Sequence, residues 1–167
     1  YTGMEVSLCY LAREELVKLR KKCVTTKFNK KTRQPEEELE KMDEWNVSHH
    51  TENGLIEKVR KSLIDTKSAE QMTCDFLSKY CEPNTALLCG NTIGTDRLFL
   101  FFHMQELEKF LHYRSIDVTT VKILMDLWYE FPPYHKNDGH RALDDIRMSI
   151  KELKHYRKHG FQTVDEK

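Results

Sequence analysis

The order of apolar segments in the C-terminal half of the chain constrains its fold more than any other feature. The run Ala86-Leu87-Leu88-Cys89 ends at Gly90 and predicts a short buried strand. A second short strand is predicted over 115–118, and each strand is followed by apolar residues at helical spacing. Strands that alternate with helices predict an α/β fold in which at least part of the sheet is parallel.

Helix boundaries are indicated by short polar and proline signals. Pro35, followed by acidic residues, predicts a first turn, and Ser68 with Gln71 forms a capping-box pattern. Thr119 is predicted to cap a later helix, which Pro132-Pro133 should end. The apolar stripes are Leu39/Met42, Leu55/Ile56/Val59/Leu63, Ala69/Met72/Phe76, Met104/Leu107/Leu111, Val121/Leu124/Met125/Trp128 and Leu143/Ile146/Ile150/Leu153.

The N-terminal part of the chain has weaker periodicity. Leucine and valine spacing suggests a helix through 12–22, and the basic stretch 18–33 contains no acidic residue. This stretch is interpreted either as a solvated helix face and loop or as a nucleic-acid or targeting surface. We divide the chain into an N-terminal segment (1–33), a main domain (34–160) and a tail (161–167).

Composition limits the classes of partner. Lys+Arg and Asp+Glu are both 27 in 167 residues, so no overall positive field is available to hold a long nucleic-acid backbone. The five cysteines are scattered and form no C-x-x-C pair, which is typical of reduced, intracellular thiols. The sequence has no apolar run of membrane length and no secretory signal. Because it starts at Tyr1 rather than Met, we expect a processed or truncated form.

His140 and Asp145 are the first candidates for chemistry. Five residues of a regular helix rotate by about 500°, so the two side chains cannot share one helix face. A break at Gly139 would place His140 on a loop and let the pair converge. A His beside a carboxylate suits a general base that deprotonates a metal-bound water. The alternative is a surface His before an acidic first turn that the helix dipole favours.

Other polar residues follow the predicted strands. Asp96 comes after the strand 86–90, at the edge of the sheet where ligand sites gather, but it could equally be a helix N-cap. The segment 112–114 combines a donor, an aromatic ring and a cation, which suits phosphate and base contacts. Asp117 could belong to such a site or be a hydrogen-bonded residue at a strand end.

Trp45, His49 and His50 form a further cluster. An aromatic ring can stack on a nucleobase, and a His can bind a phosphate. Alternatively, Trp45 continues the stripe of Leu39 and Met42 and belongs to the core. A zinc site is not expected, because no Cys or further His lies at ligand spacing.

The order and spacing of four segments resemble the oligoribonucleases, which are small homodimeric exonucleases with an RNase-H-like fold. The segments are MDEWNVSH (42–49), GNTIGTD (90–96), HYRSIDVTT (112–120) and HRALDD (140–145). The resemblance extends over about 34–157 and is closest to the eukaryotic, often mitochondrial members. It implies a mixed sheet flanked by helices, a mitochondrial or cytoplasmic compartment, and a 3′→5′ exoribonuclease that degrades dinucleotides to mononucleotides.

The resemblance also implies a catalytic set. Asp96 and Asp145 would be two of four metal carboxylates, and His140 would be the general base. Two Mg²⁺ or Mn²⁺ ions, about 4 Å apart, would clamp the attacking and leaving oxygens. The family takes its first two carboxylates from an Asp-x-Glu on the opening strand, whereas this chain has no Asp before Asp43.

The resemblance further assigns substrate contacts. Trp45 would stack on a base, and Tyr113 would reach the site of the neighbouring subunit in a homodimer. A pocket closed around a 5′ phosphate would favour very short RNA, because longer chains would clash. That pocket would be lined by His50, Thr92, Arg114 and Thr119.

Because the Asp-x-Glu is absent, two interpretations remain. In one, the chain has lost its first strand and the parent protein is an active enzyme; in the other, it is a relative without catalysis that binds nucleotides and dimerises. In both, the N-terminal hairpin strands are missing or diverged, and this polypeptide is expected to hydrolyse short RNA poorly or not at all.

Overall fold

The computed structural model describes residues 5–6, 9–12, 30–135 and 142–161. The strands are β1 (Glu5–Val6), β2 (Cys9–Ala12), β3 (Lys30–Lys31), β4 (Ala86–Gly90) and β5 (Ser115–Asp117). The helices are α1 (Glu36–Glu40), α2 (Glu44–Glu52), α3 (Leu55–Arg60), α4 (Thr66–Leu77), α5 (Ile93–His103), α6 (Gln105–Phe110), α7 (Val118–Tyr129) and α8 (Ala142–His159). The predicted mixed α/β class is confirmed.

A three-stranded sheet in the order β2-β4-β5 organises the fold. β4 and β5 are parallel, with Gly90 opposite Asp117 at their carboxyl ends. β2 runs antiparallel to β4, with Cys9 opposite Cys89, and β1 pairs with β3 in a separate antiparallel ribbon. Parallel neighbours place their carboxyl ends at one edge of the sheet, which is where the candidate site lies.

The two faces of β4 pack against different helices, because successive side chains of a strand point to opposite sides. Leu88 lies in the larger apolar core, and Cys89 lies in a smaller cluster with Ile146 and Ile150 of α8. The larger core buries residues of β4, α4, α5 and α6 together. Its buried members are Ala69, Leu77, Ala86, Leu88, Ile93, Leu100, Met104, Leu107 and Leu111.

Several helix starts differ from the sequence predictions. Asp65, rather than Ser68, caps α4, and its carboxylate accepts a hydrogen bond from the Ser68 backbone N–H at 2.6 Å. Asp117, rather than Thr119, caps α7. In both cases an Asp lies two or three residues before the predicted cap, and its carboxylate accepts from a backbone N–H of the first turn, as N-cap carboxylates do.

Two of the apolar stripes are shorter than predicted. α3 buries Ile56 and Val59 but ends at Arg60, so Leu63 is 94% exposed. The helix predicted from Met104, Leu107 and Leu111 is also shorter, because Met104 and Leu111 flank α6, although all three side chains are buried. Trp45 is 67% exposed, so the interpretation of Trp45 as a core residue is wrong.

The N-terminal segment contains strands that its sequence pattern did not predict. Leu11 and Ala12 lie in β2, so the expected helix does not begin there, and the rest of its predicted span (13–22) lies outside the described residues. The expectation that N-terminal strands are missing is not confirmed. The boundaries at 33/34 and 160/161 stay predictions. Within the described ranges, none of the helices has both the length and the apolar character needed to cross a membrane.

Candidate active site

A polar cluster occupies the carboxyl ends of β4 and β5. The backbone N–H of Thr92 donates to Asp117 Oδ1 and to Thr119 Oγ1, at 2.9 Å each. The two threonine hydroxyl oxygens are 3.2 Å apart. Thr92 has a left-handed backbone with φ of 53°, a conformation costly for a β-branched residue, and the two hydrogen bonds hold it there. The structure therefore brings the predicted residues Thr92 and Thr119 together.

Asp117 accepts several of the hydrogen bonds in this cluster. Its Oδ1 also accepts from the backbone N–H of Thr119 at 3.0 Å, and its Oδ2 accepts from the Thr120 hydroxyl at 3.1 Å. The interpretation of Asp117 as a hydrogen-bonded residue at a strand end is confirmed. With both oxygens engaged in this way, Asp117 holds the turn after β4 against the start of α7.

Asn91, which is not among the predicted site residues, connects the cluster to α8. Its Nδ2 donates to Ser149 Oγ at 2.6 Å and to Glu152 Oε2 at 3.2 Å, while its Oδ1 accepts from Thr119 Oγ1 at 3.3 Å. Glu152 is fully buried. A signal existed: Ser149 and Glu152 follow Ile146 at three-residue intervals, so both fall on the buried face of the helix. We call Asn91, Thr92, Asp117, Thr119, Ser149 and Glu152 the strand-end cluster.

Asp96 and Asp145 lie on the helices that the strand-end cluster anchors. Asp96 is in the first turn of α5, four residues after Thr92, so it does not act as the helix N-cap. Asp145 is in the first turn of α8, and its backbone carbonyl accepts from the Ser149 hydroxyl at 2.9 Å. Both side chains are exposed. Nearby protein atoms still displace part of the water around the Asp96 carboxyl, and this desolvation raises its pKa.

The described residues do not by themselves build a metal centre. Among them, no group of three or more His, Cys, Asp or Glu side chains is placed to hold an ion. Asp96 and Asp145 have the oxygen ligands that Mg²⁺ and Mn²⁺ prefer, but two carboxylates do not make up a set of four. His140 lies outside the described residues.

Trp45, His49 and His50 form a second group on α2. The rings of Trp45 and His49 stack with centroids 5.1 Å apart and an angle of 6°, and His50 meets His49 edge-on at 5.4 Å. The Nδ1 atom of His50 is buried and has no hydrogen-bond partner among the described residues. Desolvation is the larger cause of a lowered pKa at His50, and the electrostatic effect of the neighbouring His49 is the smaller one. Neither Trp45 nor His50 hydrogen-bonds to the strand-end cluster.

His112, Tyr113 and Arg114 form a third group before β5. The rings of His112 and Tyr113 stack at 4.6 Å, and the guanidinium of Arg114 lies 5.2 Å from the centre of the Tyr113 ring. Arg97 holds this segment by donating to the backbone carbonyl of His112 at 2.8 Å. Tyr113 is 72% exposed, so its ring is available for contact with another molecule.

Comparison with known proteins gives consistent results. A family model described as "Exonuclease" matches residues 4–153. The chain is 50% identical over 128 residues to an oligoribonuclease of Dichelobacter nodosus, covering 77% of this chain and 71% of that protein. It is 49% identical over 131 residues to the oligoribonuclease of Marinobacter nauticus (77% and 73%) and 47% identical over 131 residues to that of Aeromonas hydrophila (77% and 72%).

Proposed function

The chain belongs to the exonuclease family, among the oligoribonucleases, and from this premise we propose that it is a 3′→5′ exoribonuclease for very short RNA. The observation that carries the proposal is the strand-end cluster, in which Thr92, directly before α5, is held beside Thr119 and Asn91 connects the pair to α8. The parallel pair β4–β5 and the helices around it agree with an RNase-H-like fold.

The proposed substrate is a 5′-phosphorylated diribonucleotide. Hydroxyl groups are good donors to phosphate oxygens, and a cation such as Arg114 adds charge-assisted hydrogen bonds. Exposed Trp45, whose ring stacks on half-buried His49, offers a stacking surface for a base. We assign the phosphate pocket to His50, Thr92, Arg114 and Thr119.

Asp96, Asp145 and His140 are proposed as the catalytic residues. In the proposal His140 accepts a proton from the attacking water, and the two carboxylates face the phosphodiester that is cleaved. Two divalent ions, Mg²⁺ or Mn²⁺, are expected because the resemblance implies them. The described acids do not complete their ligand set.

We further propose that this 167-residue polypeptide is slow by itself, because it contains no Asp-x-Glu ahead of the family motifs. A second candidate function is a nucleotide-binding relative without catalysis. It is favoured by the contrast between the hydrogen-bonded strand-end cluster and the described acids, which form no group of three metal ligands.

The deciding experiment is turnover of a 5′-phosphorylated diribonucleotide with Mn²⁺. We expect tight binding and slow hydrolysis by this polypeptide, and faster hydrolysis when an N-terminal extension supplies a strand with Asp-x-Glu. Hydrolysis by the unextended chain at the rate of the Dichelobacter nodosus enzyme would contradict the proposed impairment. Binding without hydrolysis in both forms would support the second candidate, and binding that is independent of divalent ions would point the same way.

A homodimer is proposed as the working form. Leu98, Phe101 and Phe102 lie on one face of α5 and are 57–66% exposed. On α7, Leu127 follows Ile123 by four residues and is 72% exposed. Exposed apolar stripes on helices mark interaction surfaces, and a second copy would cover them. In light scattering, wild type should be dimeric, and Phe102→Glu should shift the mass toward the monomer.

The compartment stays a proposal. An intracellular enzyme, in mitochondria or the cytoplasm, fits the cysteine content, and the three relatives named above are bacterial. Localisation of a tagged full-length protein would test this placement.

A further inference from the structure

We infer that buried Glu152 is a positioning residue that orients the hydroxyl groups of the phosphate pocket through Asn91. The inference rests on the proposed function, because it concerns the same pocket. Glu152 is fully buried on α8, yet it is only two hydrogen bonds away from the Thr119 hydroxyl. A buried polar side chain restricts its neighbours strongly, because leaving one of them without a partner is costly.

The first step concerns the amide of Asn91. An amide has a donor end and an acceptor end, and its surroundings decide which way it points. The carboxylate oxygen of Glu152 accepts, so the NH₂ end of Asn91 faces Glu152, where Ser149 also accepts at 2.6 Å. The carbonyl end must then face Thr119, at 3.3 Å.

The second step concerns the two hydroxyl protons. The Thr119 hydroxyl has one proton, and Asn91 Oδ1 is the acceptor that takes it. Its oxygen accepts from the Thr92 backbone N–H, so in the contact between the two hydroxyls Thr92 is the donor. The Thr92 hydroxyl can turn that proton outward to a phosphate oxygen. The Thr119 hydroxyl therefore orients the Thr92 hydroxyl, and the Thr92 hydroxyl donates to the phosphate.

Loss of the Glu152 carboxylate would remove the fixed direction of these hydrogen bonds. The remaining partner of the NH₂ end, Ser149, has a hydroxyl that can donate as well as accept, so it does not fix the direction of the amide by itself. The Asn91 amide can then rotate and present its NH₂ end to Thr119. The Thr92 and Thr119 hydroxyl groups would then no longer be held in one orientation, and ordering them around a phosphate would cost affinity. Only a ligand with a 5′ phosphate contacts these hydroxyl groups in the proposed pocket. The ratio of the affinities for the phosphorylated and the unphosphorylated ligand should therefore fall when the hydroxyl groups lose their fixed orientation.

The test compares the affinities of the 5′-phosphorylated and 5′-hydroxyl forms of one diribonucleotide, measured by calorimetry on the full chain. Glu152→Met should lower the ratio by about tenfold, because the hydroxyl donors are no longer ordered in advance for the charged phosphate. Glu152→Gln keeps an acceptor oxygen for Asn91 and should hold the ratio within about threefold of wild type. If Glu152 acted through packing alone, Glu152→Gln would have no such advantage over Glu152→Met.

A matched control uses the other partner of the same carboxylate. The Tyr156 hydroxyl donates to Glu152 Oε1 at 3.4 Å, away from the pocket. Tyr156→Phe should lower stability without changing the ratio. If Glu152→Met does not fold, Asn91→Ala replaces it and should lower the ratio in the same way.

The outcomes separate the inference from the proposed function. A large ratio in wild type that is unchanged in Glu152→Met and Asn91→Ala would overturn the inference alone. A wild-type ratio near one would overturn the phosphate pocket, and the inference with it. Equal weakening of both ligands in Glu152→Met would indicate a purely structural residue and would also overturn the inference.

Discussion

At the ends of β4 and β5, Thr92 and Thr119 are fixed by several hydrogen bonds, whereas Asp96 and Asp145 on the adjoining helices expose their side chains to solvent. Under the proposed function, this difference separates the groups that bind the phosphate from the acids that cleave the RNA. The two threonines are ordered by the fold itself, through turns and a buried carboxylate on α8. The two acids are placed by helix starts and are exposed to solvent. A pocket can thus bind a short RNA even where the catalytic set is incomplete.

Removing the charge of the acids should have the largest effect. Asp145→Asn and Asp96→Asn should lower Mn²⁺-dependent hydrolysis by about 100-fold or more in the extended chain, because each tenfold loss corresponds to only about 1.4 kcal/mol of transition-state stabilisation. Affinity for the diribonucleotide, measured without divalent ions, should change by less than about threefold. Asp144→Asn, which alters an exposed ion pair with Arg147, is the control. Equal losses in the control and in Asp145→Asn would refute the assignment.

The same substitution at Asp96 should stabilise the fold at neutral pH. Desolvation raises the folded pKa of Asp96 above its usual 3.8, so the ionised form is disfavoured by folding. Its stability contribution is present at pH values below 3.8 and is lost as pH rises through the folded pKa. Asp96→Asn should therefore raise the melting temperature at pH 7 by about 1–2 °C. A lower melting temperature would show that Asp96 is a structural residue.

Breaking the strand-end cluster should weaken binding without affecting the acids. Thr119→Val keeps the shape of the side chain but removes the hydroxyl that contacts Thr92 and Asn91. We expect about tenfold weaker binding of the 5′-phosphorylated diribonucleotide. Thr120→Val removes a hydroxyl that bonds only to Asp117 and should bind almost normally. Calorimetric titration of both variants distinguishes a pocket from a general loss of order at the start of α7.

Removing the stacking surface should have a smaller and more general effect. Trp45→Ala should weaken binding by about tenfold, whether or not the ligand is phosphorylated, because a stacked base contributes about 1–3 kcal/mol. Trp45→Phe should recover most of this loss. Since Trp45 is 67% exposed, the melting temperature should stay within about 1 °C of wild type. A large drop in melting temperature would restore the core interpretation that the structure contradicts.

The smallest expected effect concerns His50 and pH. Its folded pKa is lowered from 6.5, mainly by desolvation, so the unfolded state binds the proton more readily. The stability that neutral His50 contributes is present above pH 6.5 and is lost as pH falls through the lowered folded pKa. His50→Gln should therefore flatten the decline of melting temperature below pH 6.5. If the melting temperature declined with the same slope in wild type and His50→Gln, protonation of His50 would not be the cause of the decline.

The predictable parts of the fold are those with local signals. The apolar run before Gly90 and the alternation after it were enough to predict β4, β5 and the parallel edge, and so the neighbourhood of Asp96. Ser68 and Thr119 were predicted as caps because they have capping side chains, but Asp65 and Asp117 have stronger acceptors a short distance earlier. Competition between nearby caps depends on backbone geometry, which spacing alone does not give.

The parts that escaped prediction depend on long-range contacts. Asn91 and Glu152 are 61 residues apart and become partners only when α8 packs on the sheet. β2 was missed because its pairing with β4, rather than its own periodicity, makes it a strand. The proposed metal site is likewise not decided by local pattern, since its ligands would have to come from several elements.

The central claim is that the strand-end cluster recognises the 5′ phosphate of a very short RNA. Calorimetric titration of the wild-type chain with a diribonucleotide, with and without a 5′ phosphate, tests it most directly. The claim predicts at least about tenfold tighter binding of the phosphorylated form, because charge-assisted hydrogen bonds are formed only with the phosphate. Equal affinities for the two forms, or tighter binding of the unphosphorylated one, would contradict it.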